Sequence, residues 1–235
     1  MIFNFLGQFY KMKSKSLSYL KKCTLFISST TIILITMKHF FLLALLFSTS
    51  YGFAQKYKAQ EGNIKNLKGI GSYNIIFDYS NLEIPKYDSE DDFLADKMQK
   101  REEKEAGAGE VFKKSWFSDR EEFYEPKFIE SFNKRFDEVI KVGKENSDAT
   151  HTMKVHSTLI YAGYNVGVWR QNAKIDAVIS IYETANPDTI IYSGKYVDVP
   201  GAGAMGYDYN SGYRISEAYA KLAKSFAGLI KKKAK

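Results

Sequence analysis

The sequence predicts an α+β fold, a two-layer α/β sandwich in which a mixed sheet of about four strands carries helices packed on it, in the order β-α-α-β-β-β-α. Three observations predict it. Between residues 151 and 199 apolar and polar residues alternate, the period of a half-buried strand. Around residues 89–143 and from 213 to the end they recur every three or four positions, the period of a helix with one buried face. Turn-forming Gly, Pro and Asn separate these segments, and strands flanked by helices bury one sheet face against them.

The first 54 residues are excluded from that fold as a targeting leader. They hold six lysines and no Asp or Glu. From Met37 the chain reads as a signal peptide: Lys38 is the positive start, Phe40 to Phe47 the apolar stretch, and Gly52 and Ala54 the small residues before a cut at Gln55. Residues 1–36, with their own apolar stretch Thr24–Thr36, read as an upstream over-extension of the true start at Met37. Residues 55–235 are then one mature domain. Removing the leader's six lysines from 34 basic residues leaves 28 against 27 acidic ones, so the formal charge of +7 belongs mostly to the leader. That balance gives no reason to expect a nucleic-acid partner, and membrane contact is expected through the leader alone. The single cysteine, Cys23, also lies in the leader, which leaves the mature part without a disulfide, a thiolate ligand or a cysteine nucleophile.

Within the mature part, residues 55–70 read as a polar lead-in. Ser72–Tyr79 is the first strand, bounded by Gly71 and Ser80-Asn81. Ser89 is placed to cap a helix whose acidic first turn suits the positive end of the helix dipole, and which carries Phe93, Leu94 and Met98. The run KREEKEAGAGE then suggests a charged, mobile stretch near 98–112, followed by an aromatic linker with Trp116, Phe117, Phe123 and Tyr124. Pro126 opens a helix with Phe128, Phe132, Phe136, Val139 and Ile140 on one face, ended by Gly143. A strand follows, with Met153, Val155, Leu159 and Tyr161 on one side, and Gly163–Gln171 is a connection. Ala173 to Ile181 is the cleanest alternation in the chain, Asn186-Pro187-Asp188 a turn, and Thr189–Val199 the returning strand. Ile215, Ala218, Tyr219, Leu222, Phe226, Leu229 and Ile230 then form one apolar stripe on a terminal helix, with lysines opposite.

Few chemical motifs survive inspection. Gly201 to Gly206 spells G-x-G-x-x-G after a strand, but Tyr207 to Gly212 intervene before helical periodicity begins, and no later strand supplies an acidic residue. A dinucleotide cradle needs the helix to open inside the motif, so the segment reads as a flexible connection and no cofactor is expected. His151 and His156, five apart on a strand, point to opposite faces and cannot chelate one metal together. No catalytic, cofactor or metal residue is assigned, and an enzyme is the least supported class. The aromatics Tyr161, Tyr164, Trp169, Tyr207, Tyr209 and Tyr213 lie on loops or their edges, where they either anchor a partner or cap the ends of a small core.

The C-terminal half carries a wider pattern: a strand ending Tyr161-Ala162-Gly163, the strand AKIDAVISIYE, a turn, the strand TIIYSGKYVDV, a Gly-rich loop and the helix AYAKLAKSFAGLI. This resembles envelope domains related to the curli secretion lipoprotein and the amino-terminal domain of TolB, over roughly residues 72–79 and 127–232. The chain departs from that group in its proline turn at Glu183–Asp188, its lack of a lipidation cysteine and its aromatic insert around Trp116. The resemblance implies an exported, non-enzymatic part of the cell envelope, in the periplasm or at the inner face of the outer membrane, with secretion a further option. A protein of the envelope is the expected partner. The alternative is a glycan or peptidoglycan held by the loop aromatics.

Overall fold

The computed structural model describes residues 55–137, 139–166, 169–201 and 210–234. The leader, Tyr207, Tyr209 and positions 202–206 of the glycine motif lie outside them. Of the two units into which the chain divides, 1–52 and 53–235, the second contains every described residue.

The fold class is the expected one, α+β, but the sheet has six strands, in the order β1-β8-β7-β4-β2-β3. These are β1 (Lys56–Gly62), β2 (Ser72–Asp78), β3 (Lys141–Gly143), β4 (His151–Tyr161), β7 (Ala173–Glu183) and β8 (Asn186–Gly201). β2 runs parallel to β3 and β4, and every other pair is antiparallel. The lead-in segment is corrected to an edge strand: β1 pairs along β8 from Lys56↔Val197 to Gly62↔Tyr192. Its sequence, KYKAQEG, gave no apolar alternation because all seven residues are exposed. Lys56, Lys58 and a register shift between Ala59 and Glu61 also mark it as an edge that resists further pairing.

The helices lie over one face of this sheet. They are α1 (Glu90–Glu102), α2 (Ala108–Asp119), a π-helical turn (Arg120–Tyr124), α3 (Glu125–Asn133) and α4 (Ser211–Lys233). The Ser89 cap forms as expected, its hydroxyl accepting from the Asp92 N–H at 3.0 Å. The segment expected as an aromatic linker is instead the end of α2 and the π-helical turn, and the charged stretch 98–112 ends α1 and begins α2. The helix from Pro126 also stops earlier than Gly143. It tightens into a 3-10 turn over Lys134–Phe136 and ends at Asp137, whose φ of 50° cannot continue a helix. Val139 is consequently exposed, not on the buried face.

The terminal stripe behaves as its period requires. Ile215, Ala218, Tyr219, Leu222 and Phe226 are fully buried, while Lys221 and Lys224 are exposed. The Phe226 ring lies 5.6 Å from Tyr192, 6.0 Å from Phe132 and 6.4 Å from Tyr196, joining α4 to β8 and α3. β7 alternates without fault, with Ala173, Ile175, Ala177, Ile179 and Ile181 all at the core. The hairpin turn after it falls at Thr184-Ala185, so Asn186-Pro187-Asp188 already belongs to the exposed start of β8. Gly201, first of the glycine motif, has a packing role: a Cβ there would stand 2.1 Å from the Arg214 carbonyl oxygen of α4.

Candidate functional site

β4 and β7 pair for almost their whole length, from His151↔Glu183 to Tyr161↔Lys174. One residue, Thr158, is extra on β4, because Ser157 faces Ala177 while Leu159 faces Asp176. This bulge flips the strand's alternation. Met153 and Val155 keep the core side as expected, but beyond the bulge Ile160 takes the core. Leu159 and Tyr161 turn to the face shared with Asp176 and Lys174. The bulge is held from the side. β2 has ended, and the Glu83 N–H donates to the Thr158 carbonyl while the Ile160 N–H donates to the Glu83 carbonyl, both at 3.0 Å.

Past Tyr161 and Lys174 the β4–β7 hairpin continues as a separate two-stranded ribbon, β5 (Tyr164–Val166) and β6 (Trp169–Gln171), instead of the expected irregular connection. Gly163 makes the break with φ of 66°, and a Cβ there would meet the Gln171 carbonyl oxygen at 2.4 Å. The last described residue of β8, Gly201, lies opposite Ala173, and the ribbon forms a separate two-stranded sheet. Tyr164 faces Gln171, and Trp169 sits two register positions along, which places Tyr164 and Trp169 on one face of the ribbon. Trp169 is 71% exposed and Tyr164 42%. The Tyr161 hydroxyl donates to Gln171 Oε1 at 2.6 Å, tying the ribbon to the end of β4.

Three of the six expected partner residues, Tyr161, Tyr164 and Trp169, are thus brought together. Tyr213 is on another element. It sits in the first turn of α4, near enough to Lys127 to bear on that lysine's charge. Tyr207 and Tyr209 lie outside the described residues.

Next to the ribbon is a cavity of about 230 Å³ whose walls include Tyr161, Gly163 and Tyr164. Its floor is apolar: Ile84, Phe93, Trp116 and Ile160. Phe93 packs 4.7 Å from Trp116 and 5.3 Å from Tyr87, and Lys97 places its ammonium 5.4 Å over the Tyr87 ring. The segment Ile84-Pro85-Lys86-Tyr87 forms the rim. Its Tyr87 N–H donates to the Ile84 carbonyl at 3.1 Å, and Lys86 holds φ of 76°. This is a turn with proline second and a lysine where glycine is favoured. The same four residues also wall a larger, open cavity of about 730 Å³, where Glu83, Asp88, Glu90 and Asp91 supply carboxylates.

Ionic and aromatic contacts fix these helices. Glu90 accepts from Trp116 Nε1 at 2.5 Å and pairs with Arg120, whose guanidinium lies 4.6 Å over the Tyr79 ring. Burial, together with the charge of Glu122, pushes the Asp119 carboxyl up to about 6. Asp119 is buried against Gly212 at the start of α4, where a Cβ would stand 2.1 Å from its Oδ2. On the open face of the sheet, burial opposes the ionisation of Asp78. Hydrogen bonds from Lys154 and Ser80 outweigh it and hold that carboxyl well below the usual range. His156 donates from Nε2 to the Ser80 carbonyl at 2.9 Å, and His151 contacts the Thr150 hydroxyl through Nδ1 at 2.8 Å. Among the described residues no cluster of three or more His, Cys, Asp or Glu is arranged to hold a metal, and no helix is long and apolar enough to cross a membrane.

Tyr87, Phe93 and Trp116 were missed by sequence reasoning as neighbours of the Tyr161–Trp169 group. The pair Phe112 and Trp116 is at helical spacing, which was the available signal, but the charged run before it hid the helix.

No protein-family model matches the chain, and no curated protein matches it. Among solved structures it is similar to the PelC dodecamer from Paraburkholderia phytofirmans, seen in two crystal forms, one of them of a point variant. TM-scores are 0.34 for the variant and 0.33, with 9% and 8% sequence identity, over 72% of this chain and 97% of that one. Similarity of this degree carries no functional assignment.

Proposed function

We propose that this chain is an exported, non-enzymatic cell-envelope protein that acts by docking another protein at the tip of its β4–β7 hairpin. The observation that carries the reading is the exposure of Trp169, with Tyr164 on the same face of a separate two-stranded ribbon. A large aromatic left in water forgoes the free energy of burial, and rigid aromatics of this kind are the residues that dominate protein interfaces when covered. Tyr161 and its bond to Gln171 hold the ribbon in place, so ordering it on binding costs little. The signal-peptide pattern of residues 37–54 supports export, and the resemblance to envelope domains points to the same compartment.

The test is photo-crosslinking in intact cells from a reactive residue at position 169, with exposed Lys134 as the control position. A discrete, protease-sensitive adduct from position 169 alone is the expected result. A protease-resistant, glycan-staining adduct would replace the protein partner by a glycan, and equal or absent adducts at both positions would refute docking at this tip.

A further inference from the structure

We infer that the partner presents a large apolar side chain flanked by basic residues. The inference rests on the docking reading above and names the chemistry of that partner. Two cavities share the turn Ile84–Tyr87 as a common wall, and they differ in character. The smaller, at about 230 Å³, is below the ~300–1,000 Å³ of small-molecule sites and suits one large side chain. Tyr164 links it to the exposed ribbon, since the same residue lines the cavity and shares a ribbon face with Trp169.

The larger cavity is anionic. Of its four carboxylates, Glu90 is occupied by Arg120 and Trp116, while Glu83, Asp88 and Asp91 are exposed and make no ion pair among the described residues. Among the described residues lining it, Lys86 carries the one opposing charge. Lys97 and Lys100, the cations nearest along α1, are both engaged by Asp96. The surplus along the larger cavity is therefore negative. A segment that seats an apolar residue beside Tyr164 and continues over the turn meets unneutralised carboxylates, and cationic neighbours complement them. The turn itself is preset for such contact, with Lys86 held in a left-handed conformation that a non-glycine residue adopts only when its surroundings enforce it.

The experiment titrates the purified protein with three short fluorescent peptides: phenylalanine among lysines, phenylalanine among glutamates, and alanine among lysines. The lysine–phenylalanine peptide is expected to bind at least about tenfold tighter than either of the others. Asp88→Asn combined with Asp91→Asn should weaken it about fivefold and flatten its salt dependence. Equal binding of the glutamate peptide or the alanine peptide, no binding of the lysine–phenylalanine peptide, or unchanged affinity in the double variant would each overturn the inference. The adduct at position 169 is measured separately, so a protein partner insensitive to these carboxylates would defeat this inference and leave the docking reading in place.

Discussion

The half of the molecule built from β7, β8 and α4 and the insert formed by α1 and α2 bury their side chains in different ways. In the first, aliphatic and aromatic residues meet face to face at the spacing of their elements, and Ile175, Ile179, Leu222 and Phe226 are wholly buried. In the second, rings are covered by charged side chains. Arg101 lies 3.9 Å over Phe112, Lys97 over Tyr87 and Phe93, and Arg120 over Tyr79 and Phe117. The first half is a closed core that supplies rigidity. The second keeps aromatic surface within reach of solvent, which a binding face requires and a core does not.

The contrast between closed and exposed aromatic surface is sharpest between Phe226 of α4 and Trp169 of the β5–β6 ribbon. Phe226→Ala should cost roughly 3–5 kcal/mol, because three rings lose a partner at a site that cannot collapse. Trp169→Ala should change stability by under about 0.5 kcal/mol. Thermal unfolding of both variants beside the parent checks this, and similar midpoints would erase the distinction between closed core and exposed ribbon. An intermediate effect is expected inside the insert. Glu90→Ala leaves the partly buried Arg120 and the Trp116 N–H without their acceptor and should cost about 1–3 kcal/mol by chemical denaturation.

A further effect depends on pH. The Asp119 carboxyl titrates near 6 in the folded chain, above the ~3.9 of an unfolded aspartate. The folded state therefore holds this proton more tightly, and ionised Asp119 opposes folding above about pH 6. That penalty shrinks as pH falls through 6 and is gone below about 4. Asp119→Asn should accordingly stabilise the protein at pH 7, by up to about 2 kcal/mol, with the gain fading toward pH 4. Denaturation midpoints of parent and variant across that range test it, and a gain independent of pH would remove Asp119 from the account.

Periodicity by itself determined the fold class, the buried face of α4, the alternation of β7 and the Ser89 cap, since each follows from residues a few positions apart. It also marked Tyr161, Tyr164 and Trp169 as candidates by their place between two strands. What the tertiary structure decided depended on partners distant in the chain. The Thr158 bulge is held by Glu83, so the side to which Tyr161 turns could not be read from β4 alone. β1 is a strand because β8 offers it an edge, and nothing in KYKAQEG says so. The insert folds as two helices because Phe93, Phe112 and Trp116 pack together and Glu90 meets Arg120 thirty residues away. Local spacing encodes which face of an element is apolar, whereas the pairing of charges and rings across the chain exists only once the elements are docked.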